Sequence, residues 1–383
     1  MIGGAVAGLA LVAGVAVALS VREEPLPAPR TLARDPVPAE RIFTVMPANC
    51  GISAGTVEAV APHARIEADG SSGTCRWWSK ATSAKPARGL SVTLKAERVT
   101  PAPNGDNSAV AVAIRTFAVA ARAAREERAI AGLGDEAFAA RGDPARTGAR
   151  QVVFRAGTLV VTVAYETEGT APHATGVADA DLRAAALRAA KDTAGRLGVR
   201  AAPRTSDPGE VPDSLSLPDS MCALVPADLR ERLVGPDPEE SSGDGDPLAR
   251  SNAITRPATR TCALRSAGRE LTIALTGGTV SSPALAIPDT DREYLRRYLE
   301  LRAERPTSAH PPRYFHALAG LGDRAVAALS GTSPARVVAQ AGTALVTITY
   351  AGIPDDDVDP LTRTEAVNGA YAAATHVVPA VRP

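Results

Sequence analysis

The second half of the chain repeats the first half in the order and spacing of its motifs. The motif Gly-Leu-Gly-Asp occurs at 132–135 and again 188 residues later, at 320–323. The segment 151–165 then matches the segment 336–350 at eight of fifteen positions, with an offset of 185 residues. Two independent features with nearly the same offset predict a tandem duplication, so the chain is expected to form two copies of one fold.

Each half also contains two of the four cysteines. Four cysteines allow three pairings, but the equivalent positions in the repeat favour one bridge within each copy, Cys50–Cys75 and Cys222–Cys262. Zinc binding is the rival interpretation, but the chain has no Cys-x-x-Cys and its five histidines show no ligand spacing. Disulfides persist outside the cytosol, so both copies are expected to be extracytoplasmic.

Residues 1–21 are predicted to be a transmembrane anchor, because no charged side chain precedes Arg22 and about 20 apolar residues span a bilayer. A cleaved signal peptide is the alternative, since Ala16-Val17-Ala18 would suit signal peptidase. The prediction is a single-pass cell-membrane protein, secreted if the segment is cleaved. Residues 22–45 are rich in proline and are predicted to be an extended spacer.

The repeat divides the remaining chain into repeat 1 (46–200), a linker (201–217) and repeat 2 (218–383). Alternating apolar residues predict half-buried strands, and helices are predicted before, between and after these strands. This mixture predicts an α+β fold in each copy, an antiparallel sheet covered by helices. The predicted helices are 52–61, 107–128 and one from Asp179 to Gly198 in repeat 1, and 226–233, 290–304 with a capping box of Thr290 and Glu293, and one beginning at Asp359-Pro360 in repeat 2.

Charge and composition exclude some functions. The chain has 42 basic and 42 acidic residues, and this balance is not that of a nucleic-acid-binding protein, which shows a basic surplus. No cofactor or metal is predicted. The acidic residues at 237–246 and 355–357 lack the order of an EF-hand, so both segments are predicted to be solvated loops.

The repeated Gly-Leu-Gly-Asp motif is predicted to be a structural turn. A phosphate loop would require Gly-Lys-Ser/Thr or a third spaced glycine, whereas a turn requires glycines with positive φ and an Asp that accepts backbone N–H groups. The residues assigned to these turns are Gly132, Gly134 and Asp135 in repeat 1, and Gly320, Gly322 and Asp323 in repeat 2.

Two further features are weighed as functional residues. Gly51 to Gly55 fits the hydrolase motif G-x-S-x-G, but that motif needs a preceding strand and none is predicted, so Ser53 is expected to cap a helix. Trp77 and Trp78 are adjacent, and adjacent strand residues point to opposite faces of a sheet. Trp77 is expected beside the disulfide, and Trp78 is the predicted contact residue for a partner.

These motifs together resemble a family of actinobacterial extracytoplasmic lipoproteins and membrane-anchored proteins of unknown function. The resemblance rests on Cys50, Cys75-Arg76-Trp77, the Gly-Leu-Gly-Asp-x-Ala turn and the closing hairpin, and it extends to sensor-like domains of actinobacterial Ser/Thr kinases. Repeat 2 departs from the pattern, because Cys262-Ala263-Leu264 has no Trp. The resemblance implies a cell-envelope location and a non-catalytic binding or sensing role, with no known ligand.

The sequence therefore predicts a non-catalytic protein that binds an envelope protein or a small ligand. Two alternatives remain, a structural or accessory subunit of an envelope complex and an envelope hydrolase.

Overall fold

The computed structural model describes most of the chain after residue 24. The residues described are 25–37, 41–69, 73–82, 86–98, 100–102, 105–142, 149–168, 177–205, 218, 220–244, 259–266, 268–277, 289–303, 314–330, 333–353 and 359–381. The predicted anchor at 1–21 and the acidic run 355–357 lie outside these residues. No helix among those described is long and apolar enough to cross a membrane.

The predicted α+β fold is confirmed, with two large antiparallel sheets, six helices and two disulfides among the described residues. The elements of repeat 1 are α1 (Ala54–Val60), β1 (Arg65–Asp69), β2 (Thr74–Trp78), β3 (Ala87–Ala96), β4 (Thr100–Ala102), β5 (Gly105–Asn107), α2 (Ala109–Ala123), β6 (Arg125–Leu133), β7 (Glu136–Arg141), β8 (Arg150–Ala156), β9 (Leu159–Glu168), α3 (Asp179–Arg196) and β10 (Ala201–Thr205). Its sheet has the order β1-β2-β3-β9-β8-β7-β6-β10, and β4 pairs with β5 separately.

Repeat 2 has the same order of elements. They are α4 (Ala227–Val234), β11 (Glu239–Asp244), β12 (Thr259–Ser266), β13 (Arg269–Gly277), α5 (Asp289–Ala303), β14 (Tyr314–Leu318), β15 (Arg324–Leu329), β16 (Ala335–Ala341), β17 (Ala344–Gly352) and α6 (Arg363–Ala380). The sheet order β11-β12-β13-β17-β16-β15-β14 reproduces the order of the first seven strands in the sheet of repeat 1. Among the described residues of repeat 2, β4, β5 and β10 have no counterpart.

Each disulfide fastens a short turn to the second strand of its sheet. Cys50 lies in a 3-10 turn before α1 and bonds Cys75 in β2, with Cα atoms 5.9 Å apart. Cys222 and Cys262 form the equivalent bond, with Cα atoms 5.4 Å apart. All four sulfur-bearing residues are buried in the cores formed by α1 and α3 in repeat 1 and by α4 and α6 in repeat 2.

A tyrosine repeated at the end of the closing hairpin fixes the first helix of each copy. The Tyr165 hydroxyl donates to the Val60 carbonyl oxygen at 2.8 Å, where α1 ends. The Tyr350 hydroxyl donates in the same way to Leu233 in α4. These bonds satisfy carbonyl groups that a helix end leaves without intrahelical partners. The same hydrogen bond in both copies explains why each has a tyrosine at this position.

The two repeats pack against each other through α2 and α5. One side of α2 covers its own sheet with Phe117, and another side places Val110 and Ile114 in a buried cluster with Tyr294 and Tyr298 of α5. The same cluster includes residues of β15 and β16 in the sheet of repeat 2. The helix pair therefore forms a shared layer between the two sheets, and apolar burial holds the repeats together.

Segments outside the repeats complete the edges of both sheets. The strand β10, which begins the predicted linker, pairs with β6 of repeat 1. The predicted spacer pairs with β14 of repeat 2 instead of standing apart from the domains: Thr31 is bridged to Leu318, and the Leu32 N–H donates to the Ala317 carbonyl at 2.8 Å. An open sheet edge leaves backbone groups unpaired. In both sheets a segment from outside the repeat supplies hydrogen bonds to the last strand.

The described N-terminal residues 25–37 and 41–43, hereafter the strap, contact both repeats. Asp35 accepts hydrogen bonds from the Tyr298 hydroxyl and from Arg302 Nη1. Further along, the Thr158 N–H donates to the Arg41 carbonyl at 3.0 Å, and the Thr158 hydroxyl accepts from the Phe43 N–H at 2.9 Å. The strap therefore contacts α5 of repeat 2 and the β8–β9 hairpin of repeat 1.

We expect Asp35→Asn to loosen the strap without unfolding either repeat. Loss of the charge weakens the bonds to Tyr298 and Arg302, and a partly exposed contact of this kind contributes up to about 1 kcal/mol. That loss would raise trypsin cleavage after the exposed Arg34 up to about fivefold, because proteolysis follows local opening. The urea unfolding curve, followed by tryptophan fluorescence, should be the same for Asp35→Asn and the parent. Equal trypsin cleavage rates in these two proteins would contradict a stabilising contact at Asp35.

Three local predictions are wrong. The last helix begins at Arg363 and not at Asp359-Pro360, because Thr362 and Glu365 form a capping box. Thr290 is no cap: it lies inside α5, and its hydroxyl donates to the Thr343 carbonyl. The acidic segment 239–244 is not a loop but the exposed edge strand β11, paired with β12.

Candidate functional site

Each Gly-Leu-Gly-Asp turn connects two strands, β6 to β7 in repeat 1 and β14 to β15 in repeat 2, and its Asp bonds the turn of the neighbouring hairpin. In repeat 1 the Asp135 carboxylate accepts from the Gly157 N–H at 2.7 Å. In repeat 2 the Asp323 carboxylate accepts from the Gly342 N–H at 2.6 Å. The glycines of the two turns all have positive φ, namely Gly132, Gly134, Gly320 and Gly322. The carboxylates are therefore occupied by backbone N–H groups of the same repeat, an arrangement that serves the fold.

We expect Gly322→Ala to destabilise the protein more than Gly320→Ala. Both residues have positive φ, so each alanine carries a backbone strain of about 1 kcal/mol. A Cβ atom on Gly322 would also lie 2.2 Å from the Gln340 carbonyl oxygen, whereas a Cβ on Gly320 would meet nothing within 4 Å. We expect losses of about 2–3 kcal/mol and about 1 kcal/mol, measured by urea denaturation; equal losses would contradict the close approach.

The residues of the other motifs are separated from these turns. Ser53 precedes α1, and its hydroxyl oxygen accepts from the Thr56 N–H at 3.1 Å as a helix cap. Trp77 lies in the buried cluster that contains the disulfide of repeat 1. Trp78 faces the other side of the sheet, is partly exposed, and lies over Gly89, where a Cβ atom would be 1.9 Å from the Trp78 ring. These residues do not form a common site.

A cavity of 120 Å³ lies in repeat 1 between α3 and the strands β6, β7 and β8. Its floor is apolar, and the side chains that form it are Ile130, Ala139, Val152, Ala186 and Leu187. Its polar lining consists of Gln151 and three arginines, Arg128 from β6, Arg150 from β8 and Arg183 from α3. The combination of an apolar floor with a few polar groups is typical of ligand sites.

A carboxylate of α3 orients two of these arginines. Asp179, in the first turn of α3, bridges Arg150 Nη2 and Arg183 Nη2, the latter at 2.6 Å. The Arg150 side chain is 11 % exposed and Arg183 is 42 % exposed, so Arg150 forms the inner wall and Arg183 the mouth. Arg128 is exposed. Three arginines thus line the opening, and Asp179 bonds two of them.

The equivalent positions of repeat 2 lack all three arginines. Strand register matches Arg150, opposite Tyr165, with Ala335, opposite Tyr350. It also matches Arg128, opposite Ala139, with His316, opposite Ala327. Counted from the residues that precede α3 and α6, Ala178 and Thr362, Arg183 corresponds to Val367 and Leu187 to Tyr371. The fold is thus built without these arginines, and they are a property of repeat 1 alone.

A second cluster of charges lies between the repeats. Glu136 of β7 accepts from Arg155 Nε at 2.9 Å and from Arg292 Nε of α5 at 2.8 Å, and all three side chains are buried. Burial opposes ionisation of Glu136, but the two guanidinium groups outweigh it and lower the pKa of this carboxyl. Glu136 therefore joins the sheet of repeat 1 to the helix of repeat 2 through an ionic pair on each side.

Part of the charge on α5 is paired within the helix, between acidic and basic residues three or four positions apart. Glu293 accepts from Arg297 Nε at 2.9 Å and also bonds Arg296. Burial raises the pKa of Glu293, yet Arg296 and Arg297 outweigh it and lower the pKa to about 2. Arg297 Nη1 donates in turn to the Thr347 hydroxyl of β17 at 3.0 Å. This pairing of charges allows α5 to lie between the two sheets despite its many charged residues.

The sequence predicts the cysteine pairs and the glycine turns but not the cavity or the Glu136 cluster, and a contact role for Trp78 stays a prediction. The usable signal was the comparison of the two copies, since Arg128, Arg150 and Arg183 replace smaller or uncharged residues at matching positions. Within the described part of the chain, no group of three or more His, Cys, Asp or Glu residues is arranged to hold a metal ion.

Comparison with known proteins adds no relative: no family model, no curated protein and no solved structure matches the chain.

Proposed function

We propose that this chain is a non-catalytic extracytoplasmic protein, held at the membrane by its N-terminal segment, which binds a cell-envelope partner or ligand. The observation that carries the location is the pair of buried disulfides at equivalent positions of the two repeats. Such bonds persist in oxidising compartments and are rare in the cytosol. The observation that supports binding is the arginine-lined cavity of repeat 1, because the matched positions of repeat 2 hold no arginine.

The motif residues support binding over hydrolysis. The nucleophile motif of hydrolases needs a strand before its serine, but a 3-10 turn (Ala48–Gly51) precedes Ser53. The Ser53 hydroxyl bonds Thr56, and the Ser53 N–H donates to Asp192 at 2.7 Å. Ser53 and Asp192 are thus used in joining α1 to α3. The resemblance to extracytoplasmic and sensor-like domains agrees with the same function.

The location is tested by labelling intact cells with a membrane-impermeant maleimide. The variant Arg188→Cys places one thiol on the exposed side of α3, and the parent chain has no free cysteine. We expect the variant to be labelled in intact cells and the parent to remain unlabelled. Labelling that requires lysis would contradict an extracytoplasmic location.

Binding is tested by photo-crosslinking in the same cells. A photoreactive amino acid at Ala184, an exposed residue of the cavity lining, is compared with the same group at Glu231, which is exposed on α4. We expect an adduct that depends on position 184 and disappears when Leu187→Tyr fills the cavity. Adducts that do not differ between the two positions would contradict a site in repeat 1.

A further inference from the structure

We propose that the cavity of repeat 1 binds a carboxylate carried on a compact apolar group. This inference rests on the binding function proposed above and names its ligand class. The ligand is a short aliphatic or aromatic acid, either as a free molecule or as the C-terminal residue of a peptide. Both sources present the same chemistry, an apolar body of about four to seven carbon atoms joined to one carboxylate.

The size of the cavity selects a compact ligand. A closed apolar cavity of about 150 Å³ holds a benzene molecule, so the 120 Å³ found here suits a branched aliphatic chain or a small ring. The floor residues Ile130, Val152 and Ala186 are 3 % exposed or less. They present no polar group from their side chains, so the inner part of the ligand must be apolar.

The arginines select the charge of the ligand. Guanidinium groups present donors in a planar fork that matches a carboxylate bidentately, and three of them line one small opening. Asp179 already accepts from Arg150 and Arg183, which shows that a carboxylate fits their geometry. A second carboxylate would enter beside Arg128, which lines the same opening and is exposed.

The divergence of the repeats separates a ligand role from a structural one. In repeat 2 the same positions are occupied by His316, Ala335 and Val367, and Tyr371 stands in place of Leu187. Repeat 2 forms the same sheet and helix with these side chains. Packing alone therefore does not explain three arginines around an apolar cavity. Recognition of an acid explains them.

The test measures binding to the full chain by ligand-observed NMR and calorimetry. The probes are isovalerate and benzoate, their neutral amides, inorganic phosphate, and a peptide ending in leucine with a free or an amidated C-terminus. We expect the acids to bind at least ~10-fold more tightly than the amides, because hydrogen bonds to a charged group are the stronger ones. Tighter binding of the free acids assigns the site to a small molecule, and tighter binding of the free-carboxylate peptide assigns it to a chain terminus.

Three variants localise the binding. Leu187→Tyr introduces the residue of repeat 2 and should abolish binding by filling the cavity. Arg183→Gln, at the exposed mouth, should weaken binding by ~10-fold without disturbing the core. The matched control is Arg188→Gln, which removes the same charge from the exposed side of α3 and should leave affinity unchanged. Thermal unfolding of each variant confirms that it folds.

The proposal is overturned if acids and amides bind equally, if inorganic phosphate competes as well as benzoate, or if no acid binds at millimolar concentration. It is also overturned if binding survives both Leu187→Tyr and Arg183→Gln. These failures differ from a failure of the proposed function. If the chain is labelled and crosslinked at the surface of intact cells but binds none of the acids, the proposed binding function stands and only this ligand class is wrong.

Discussion

Glu136→Gln should lower the free energy of unfolding by about 3–5 kcal/mol, the cost of breaking a buried ion pair from one side. Glu136 lies between Arg155 and Arg292, at 2.9 and 2.8 Å, and its side chain is 6 % exposed. Glutamine is nearly isosteric, so the packing volume is kept while the charge that compensates two buried guanidinium groups is lost. Urea denaturation followed by tryptophan fluorescence measures the loss.

A surface ion pair provides the matched control for this substitution. Glu270 bonds Arg265 Nη2 at 2.9 Å, and the Arg265 side chain is 61 % exposed. The same change, Glu270→Gln, should cost about 1 kcal/mol or less, because solvent screens such pairs. Equal losses of unfolding free energy in the two variants would show that burial between the repeats does not strengthen the ion pairs of Glu136.

The same cluster makes the stability of the protein sensitive to acid. The folded structure lowers the pKa of Glu136 below its ordinary value of 4.5, so the stabilisation is complete above that value and is lost as the pH falls below it. Wild-type stability should therefore decline on acidification below about pH 4.5. The decline should be shallower in Glu136→Gln, and parallel pH profiles would contradict the assignment.

Loss of a disulfide is the other large effect that we expect. Replacing Cys222 and Cys262 by serine opens a loop of 40 residues, which corresponds to about 4 kcal/mol in the chain-entropy account. Replacing Cys50 and Cys75 opens a loop of 25 residues, which corresponds to about 3.5 kcal/mol. Each double variant should unfold at a lower urea concentration than the parent.

Thiol chemistry provides the control for these variants. The native chain should show no reactive thiol toward Ellman's reagent, because the described cysteines are all paired. Treatment of the parent with reductant should reproduce the combined destabilisation of the two double variants and leave a chain without cysteines unchanged. A parent that keeps its full stability under reductant would contradict the stabilising role of the bonds.

The repeat made much of the fold predictable. The pairing Cys50–Cys75 follows from two cysteines in each copy, and the α+β class follows from the alternation of strands with helices. These features depend on residues close together in sequence or on the match between copies. The start of the last helix is less predictable, because Pro360 suits a first helical position while Thr362 and Glu365 form the capping box.

The arrangement of the two copies was not predictable from local patterns. The helix α5 contains Glu293, Arg296 and Glu300 at spacings that are typical of an exposed helix, yet it packs between the sheets. Its charges find partners that are distant in sequence, such as Glu136, 156 residues from Arg292. The cavity escaped sequence reasoning for a related reason, since an unfilled space results from the sizes of side chains on four separate elements.

The strap has a consequence for the outer edge of the sheet in repeat 2. In the described structure, Thr31 and Leu32 pair with the end of the outer strand β14, at Ala317 and Leu318. A chain shortened to begin at repeat 1 would uncover these backbone groups, and an open strand readily pairs with a second molecule. Removal of the proline-rich segment should therefore favour edge-to-edge pairing of two chains through β14.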